Sequence, residues 1–336
     1  MKKGLQKVKT PGVASMISLL TALLLANLSL AQTVKNNSPF FEPVRVIQLI
    51  DANNRNRQYI SSLSTLLNEI QLRTTASLDV EPLLVSTLTD SALGEHSLLY
   101  INVDGFDKWE MTPEETLALK QFIESGGFVY LDAGIKSEFL RENNRGIHSF
   151  ADWEIRPSVG KLFRQMFPEH NFTPIPRNHA VFHLVYSGLP DAGELPEAIR
   201  DFVVNEKWPG GTYSLLGMEL NGRLAVIASP IIAMGWGKNE TGNWLYQIDF
   251  RVREGSDQLS QRLSLAAYSG DKFNANRADG LVDIIFTQKN ERPGWVQEPG
   301  GDYRAFRYYS GEEISDFAHL FYTRLGINIF VYGMLN

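Results

Sequence analysis

The sequence predicts an α/β fold in three layers, with helices covering both faces of a mostly parallel sheet. Two observations predict it. Residues 98–103 are apolar on both faces and 128–131 are apolar throughout, which suits strands buried under helices on both sides. Helical and strand-like segments also alternate from residue 44 to 131, the pattern of right-handed βαβ crossovers. In such sheets ligands bind in a crevice beyond the carboxyl ends of the strands.

The elements follow in order. Residues 44–50 form a β-rich run, read as the first strand, with a polar loop at 51–56. Ile60, Leu63, Leu66, Leu67 and Ile70 recur at three- and four-residue spacing, an amphipathic helix. Residues 83–88 make an edge strand. Thr112, Pro113 and Glu115 then supply an N-cap, a first-turn proline and a capping box for a helix with Leu119, Phe122 and Ile123 on its buried stripe. Gly126-Gly127 ends that helix.

After Gly134 an irregular segment runs to about residue 158, longer than an ordinary βα connection. Residues 161–167 read as a short helix stopped by Pro168, and 180–186 as a strand. Asn221-Gly222 between two apolar runs signals a type I′ hairpin. Residues 257–268 read as a helix, and 272–303 as an insertion or flap rich in Asn, Gly, Pro and charge. Ser310 and Glu313 form a second capping box, Gly326 is expected to stop that helix, and 327–332 to return to the sheet as a terminal strand.

Residues 1–31 are expected to be a cleaved signal peptide. Lys2, Lys3, Lys7 and Lys9 precede an apolar run at 14–28, and Ser29-Leu30-Ala31 supplies small residues at −3 and −1 of a cut before Gln32. The run is about 15 residues, short of the roughly 20 that span a bilayer, which weighs against an uncleaved anchor. Residues 32–43 form a polar linker, and 44–336 a single domain, periplasmic or secreted, with no transmembrane segment after cleavage. Losing four lysines and no acid takes the formal charge from −6 to −10, which argues against nucleic acid as a partner. Partners would instead be envelope or membrane-associated proteins. The chain has no cysteine, and therefore no disulfide framework, thiolate nucleophile or cysteine-ligated metal.

Four blocks, taken together, carry a family resemblance: residues 98–134; residues 162–169 followed by 176–182; residues 222–229 running towards Gly235-Trp236; and residues 324–332. In this order they resemble the exported bacterial proteins defined by the DUF4159 domain, a family of unknown function related to class I glutamine amidotransferase-like folds. The resemblance implies a flavodoxin-like, amidotransferase-like three-layer sheet with an added β-hairpin and a flap-like insertion. It implies no reaction, and the amidotransferases' cysteine nucleophile has no counterpart here.

The candidate chemistry is sparse. Asp104 and Asp132 end neighbouring strands and are expected to face one crevice, where they could bind a cation, act as acid and base, or simply accept backbone amides in their turns. His179 and His183 are four apart, a metal-ligand spacing on a helix; on a strand they would lie roughly 13 Å apart and could not share an ion. The β-leaning residues between them favour one histidine as a hydrogen-bonding group in the core or crevice. Arg164, Arg223 and His179 are candidates for anion recognition, or for structural ion pairs. Trp236, in a Gly235-Trp236-Gly237 loop, is either a stacking platform or a core contact. No Gly-x-Ser-x-Gly elbow, phosphate loop or dinucleotide fingerprint is present, and no metal or cofactor is expected. The reading is a non-catalytic binding or assembly module of the cell envelope, its crevice lined by Asp104, Asp132, Arg164 and His179. The rival is a metal- or carboxylate-dependent hydrolase acting on an envelope substrate.

Overall fold

The computed structural model describes residues 43–53, 59–93, 98–106, 108–135, 146–149, 155–187, 215–253, 272–276, 282–287, 293–297, 300–301, 303–309 and 311–335. The signal peptide, most of the linker, the helix expected at 257–268 and the Ser310 cap lie outside them.

The strands are β1 (Val46–Leu49), β2 (Leu83–Val85), β3 (Leu98–Asn102), β4 (Phe128–Asp132), β5 (Gly146–Ser149), β6 (Thr173–Pro174), β7 (Leu216–Leu220) and β8 (Arg223–Ala228), followed by β9 (Ile248–Arg253), β10 (Lys272–Asn276), β11 (Val282–Thr287), β12 (Pro293–Gln297) and β13 (Tyr303–Tyr309). The helices are α1 (Ile60–Arg73), α2 (Asp90–Leu93), α3 (Pro113–Glu124), α4 (Pro157–Met166) and α5 (Glu312–Leu335).

Seven strands form the first sheet, in the order β2-β1-β3-β4-β8-β7-β6. β2, β1, β3, β4 and β8 are mutually parallel; β7 runs antiparallel to β8 and β6. Every residue of β1, β3 and β4 is buried, as the two-faced apolar runs predict. The alternation of a strand divides them between two cores. Val46, Leu98, Tyr100, Phe128 and Tyr130 pack with α1 and α5 on one face. Ile47, Leu99, Ile101, Val129 and Leu131 pack with α3 and α4 on the other. This mixed, helix-covered sheet is the α/β architecture read from the sequence.

Local signals translate directly. Thr112 Oγ1 accepts from Glu115 N at 3.2 Å while Glu115 Oε2 accepts from Thr112 N at 3.0 Å, the reciprocal cap of α3. Gly126 leaves the helix at φ +112°. Asn221 and Gly222 both have positive φ, as a type I′ turn between β7 and β8 demands.

Three expectations are corrected. Residues 180–186 are not a strand: Ala180–Phe182 is a 3-10 turn capped by His179. Residues 327–332 do not return to the sheet; they are the C-terminal half of α5. Their Ile, Phe, Val and Tyr read as β-prone because a helix buried on nearly all sides shows no polar face to betray its period. Gly326 is accordingly no stop. A Cβ there would lie 3.0 Å from Leu66 and from the Trp236 ring, so glycine lets α5 close on its neighbours. The 272–303 segment, read as an insertion or flap, contributes β10, β11 and β12 to a second sheet of order β10-β11-β12-β13-β9-β5. All its pairings are antiparallel except β5 with β9.

Burying α5 brings polar side chains into the interior, and Ser315, His319 and Asn328 among them hold loop backbone. Ser315 Oγ accepts from Ile248 N at 3.0 Å. The two ring nitrogens of His319 stand 2.9 Å from Gly235 O and 2.8 Å from Tyr246 O, with the ring stacked 4.2 Å from Trp244. Asn328 Oδ1 accepts from Val185 N and Tyr186 N, and its Nδ2 donates to Tyr186 O. Asn328→Leu leaves two amides and a carbonyl without these partners and is expected to cost about 3 kcal/mol. Urea unfolding at neutral pH checks this; a loss under about 1 kcal/mol would show that water replaces the clamp.

Candidate functional site

Asp132, the last residue of β4, is wholly buried and faces α5. Its Oδ2 accepts from Asn102 Nδ2 at 2.8 Å and from the Tyr100 hydroxyl at 3.1 Å, while Oδ1 accepts from Ile232 N at 2.7 Å. Ala233 N approaches Oδ2 at 3.4 Å. Ser229 Oγ stands 3.4 Å from Oδ1 but spends its one proton on Pro230 O at 2.6 Å. Burial raises the Asp132 pKa to about 6, against the downward pull of Ile232 N, the Tyr100 hydroxyl, Ala233 N and Asn102. Of the uses open to it, accepting backbone amides is the one this geometry realises.

Asp104 does not join it. It sits in the 3-10 turn Val103–Gly105 and turns towards α4, with Arg156 Nη2 4.0 Å from its Oδ1. The flanking Val103 and Trp109 belong to the α3/α4 core, whereas Ile232 and Ala233, which bind Asp132, belong to the α1/α5 core. The crevice expected to hold both carboxylates is divided by the sheet.

On the Asp104 side a cleft of about 540 Å³ opens between the loop after β3 and α4, within the range of small-molecule sites. Among the described residues, Lys108, Arg156 and Lys161 line it with one carboxylate, Glu110, and Phe106 and Trp109 add aromatic surface. Among the described residues no cluster of three or more His, Asp or Glu could hold a metal ion.

The remaining candidates are dispersed. Arg164 is exposed on α4 and does not line the cleft. Arg223 Nη2 donates to Ile123 O at 2.6 Å and Gly127 O at 3.0 Å, closing the C-terminus of α3; burial lowers its pKa. His179 Nδ1 accepts from Val181 N at 3.2 Å, its ring lies 5.3 Å from Tyr332, and burial lowers its pKa. His183 is exposed, its Nε2 2.8 Å from Arg177 O, so the two histidines serve separate turns. Trp236 is a core contact. It is 1% exposed, packs against Tyr100, Tyr130 and Phe330, and donates from Nε1 to Tyr322 O at 2.9 Å.

Sequence reasoning missed the cleft residues Lys108, Trp109, Arg156 and Lys161. A signal existed for one of them: Arg156-Pro157 reads as a cation immediately before a helix whose first residue is proline.

Residues 46–334 match the family described as "Domain of unknown function (DUF4159)", and the chain belongs to that family. No curated protein matches.

The raised Asp132 pKa sets a pH dependence. A carboxyl that holds its proton more tightly when folded contributes most below the unfolded value of 3.8, loses ground as pH rises towards about 6, and is constant above. The interval corresponds to about 3 kcal/mol. In Asp132→Asn the stability relative to the natural protein should therefore rise between pH 4 and 6 and level off beyond. Urea unfolding across pH 4–7 measures it; a difference independent of pH would mean Asp132 does not titrate in this window.

Proposed function

We propose that this DUF4159 protein is an exported binding module of the cell envelope, built on an amidotransferase-like scaffold that lacks the cysteine nucleophile. The observation that carries the reading is the division of the crevice. A ligand-sized cleft opens beside Asp104, while Asp132 is sealed among backbone amides on the other face of the sheet. Two carboxylates turned to opposite faces cannot work as acid and base on one bond, which requires both within hydrogen-bond reach of the reacting group.

The address rests on the charged, apolar and small-residue order of residues 1–31. Among the described residues no helix is long and apolar enough to cross a membrane. A formal charge of −6, or −10 after cleavage, argues against nucleic acid as a partner, and envelope or membrane-associated proteins are the proposed ones.

Retention of small molecules tests the proposal. Purified protein is mixed with a small-molecule extract of envelope, washed by ultrafiltration, and the retained compounds are weighed by mass spectrometry. Unmodified compounds should be retained, and lost when Thr116→Trp fills the cleft. New chemical species whose formation depends on Asp104 or Asp132 would replace the binding reading with the hydrolase.

A further inference from the structure

We propose that the cleft between the loop after β3 and α4 binds small molecules in which a carboxylate or phosphate is joined to a flat or apolar body. The inference rests on the cleft being the ligand site, and adds the chemistry of its occupant.

The first observation is charge. The whole chain carries −6, yet the described residues lining the cleft include Lys108, Arg156 and Lys161 and one acid, Glu110. An acidic protein that gathers cations in one concavity focuses a positive field there. Arg156 is also positioned: its side chain is 21% exposed, and Asp104, 13% exposed, stands behind it at 4.0 Å. That carboxylate approaches the guanidinium from the turn after β3.

The second is the start of α4. This ten-residue helix has Arg156 at its N-cap, a side chain with no acceptor to offer, and no acidic residue in its first turn. The contrast is α3, whose cap is Thr112 and whose first turn carries Glu114 and Glu115. Ser158, in the first turn of α4, lines the cleft, so the positive end of the helix dipole adds to the three cations.

The third is Trp109. It is 9% exposed and lines the cleft, and its buried indole N–H meets no acceptor among the described residues. A buried donor without a partner is rare and costly. An oxyanion in the cleft supplies the missing acceptor. Phe106, Met111 and Leu162 supply apolar wall for the rest of the molecule.

Calorimetric titration of the purified protein with phenyl phosphate, benzoate and benzyl alcohol tests this. At least one of the two anions should bind, and the alcohol at least tenfold more weakly. The double variant Lys108→Glu/Lys161→Glu should weaken the anion at least tenfold with the melting temperature unchanged, because both lysines are exposed. Thr116→Trp should abolish binding. Equal binding of alcohol and anions, blocked by Thr116→Trp, overturns the oxyanion inference and leaves the cleft as the site. Failure of both anions to bind overturns it too, while the retention experiment reports on the cleft independently. Anion binding undiminished in Thr116→Trp overturns both.

Discussion

The carboxylate of Asp132 is the point on which the carboxyl end of the main sheet depends. Donors from Tyr100 and Asn102 on β3 and from the backbone at Ile232 and Ala233 after β8 converge on its two oxygens. A charge taken fully out of water is tolerated only when such donors surround it. Its bonds therefore fasten two neighbouring strands and the 232–236 turn in one arrangement. That turn carries Trp236 into the aromatic cluster of Tyr100, Tyr130 and Phe330, and the indole in turn donates to the backbone of α5. Removing an acceptor at this position loosens strand, turn and helix together.

The buried helix α5 obeys the same constraint from the other side. Loops that cross an apolar interior need partners for their amides and carbonyls. Ser315, His319 and Asn328 provide them at three heights along one helix, reaching Ile248, Gly235 with Tyr246, and Val185 with Tyr186. A neutral imidazole has one N–H, so His319 donates to one of its two carbonyls; burial lowers its pKa. The α5 face is thus filled and stapled, with Gly326 and Gly333 allowing Trp236 and Phe128 to close against it.

What was legible in the sequence was whatever local chemistry alone decides. The cap at Thr112, the Asn221-Gly222 turn and the two-faced strands β3 and β4 need no tertiary information. The C-terminal half of α5 was not legible, because burial all round erases helical periodicity and leaves a composition that matches a strand. The 180–186 turn was hidden because its conformation is fixed by Asn328, more than 140 residues away. Pairing Asp104 with Asp132 failed for a reason of parity. Asp132 continues the face of Phe128 and Tyr130, while the chain after Asn102 enters a 3-10 turn that swings Asp104 towards α4. Arg223 and Trp236 were correctly singled out as specific positions, but their partners are a helix terminus and a core.

The division of the crevice then decides which face can serve a ligand. On the α5 side the strand ends are occupied by the protein's own turn, held by Asp132 and covered by Trp236. On the α4 side the loop after β3 stands away from the helix, and the groups in that gap are cations and aromatic surface. In open α/β sheets the carboxyl ends of the strands are a binding place. Here one half of that place has been filled to stabilise the fold and the other left open. Asp104 sits at the divide, on the open half, with Arg156 Nη2 4.0 Å from its Oδ1.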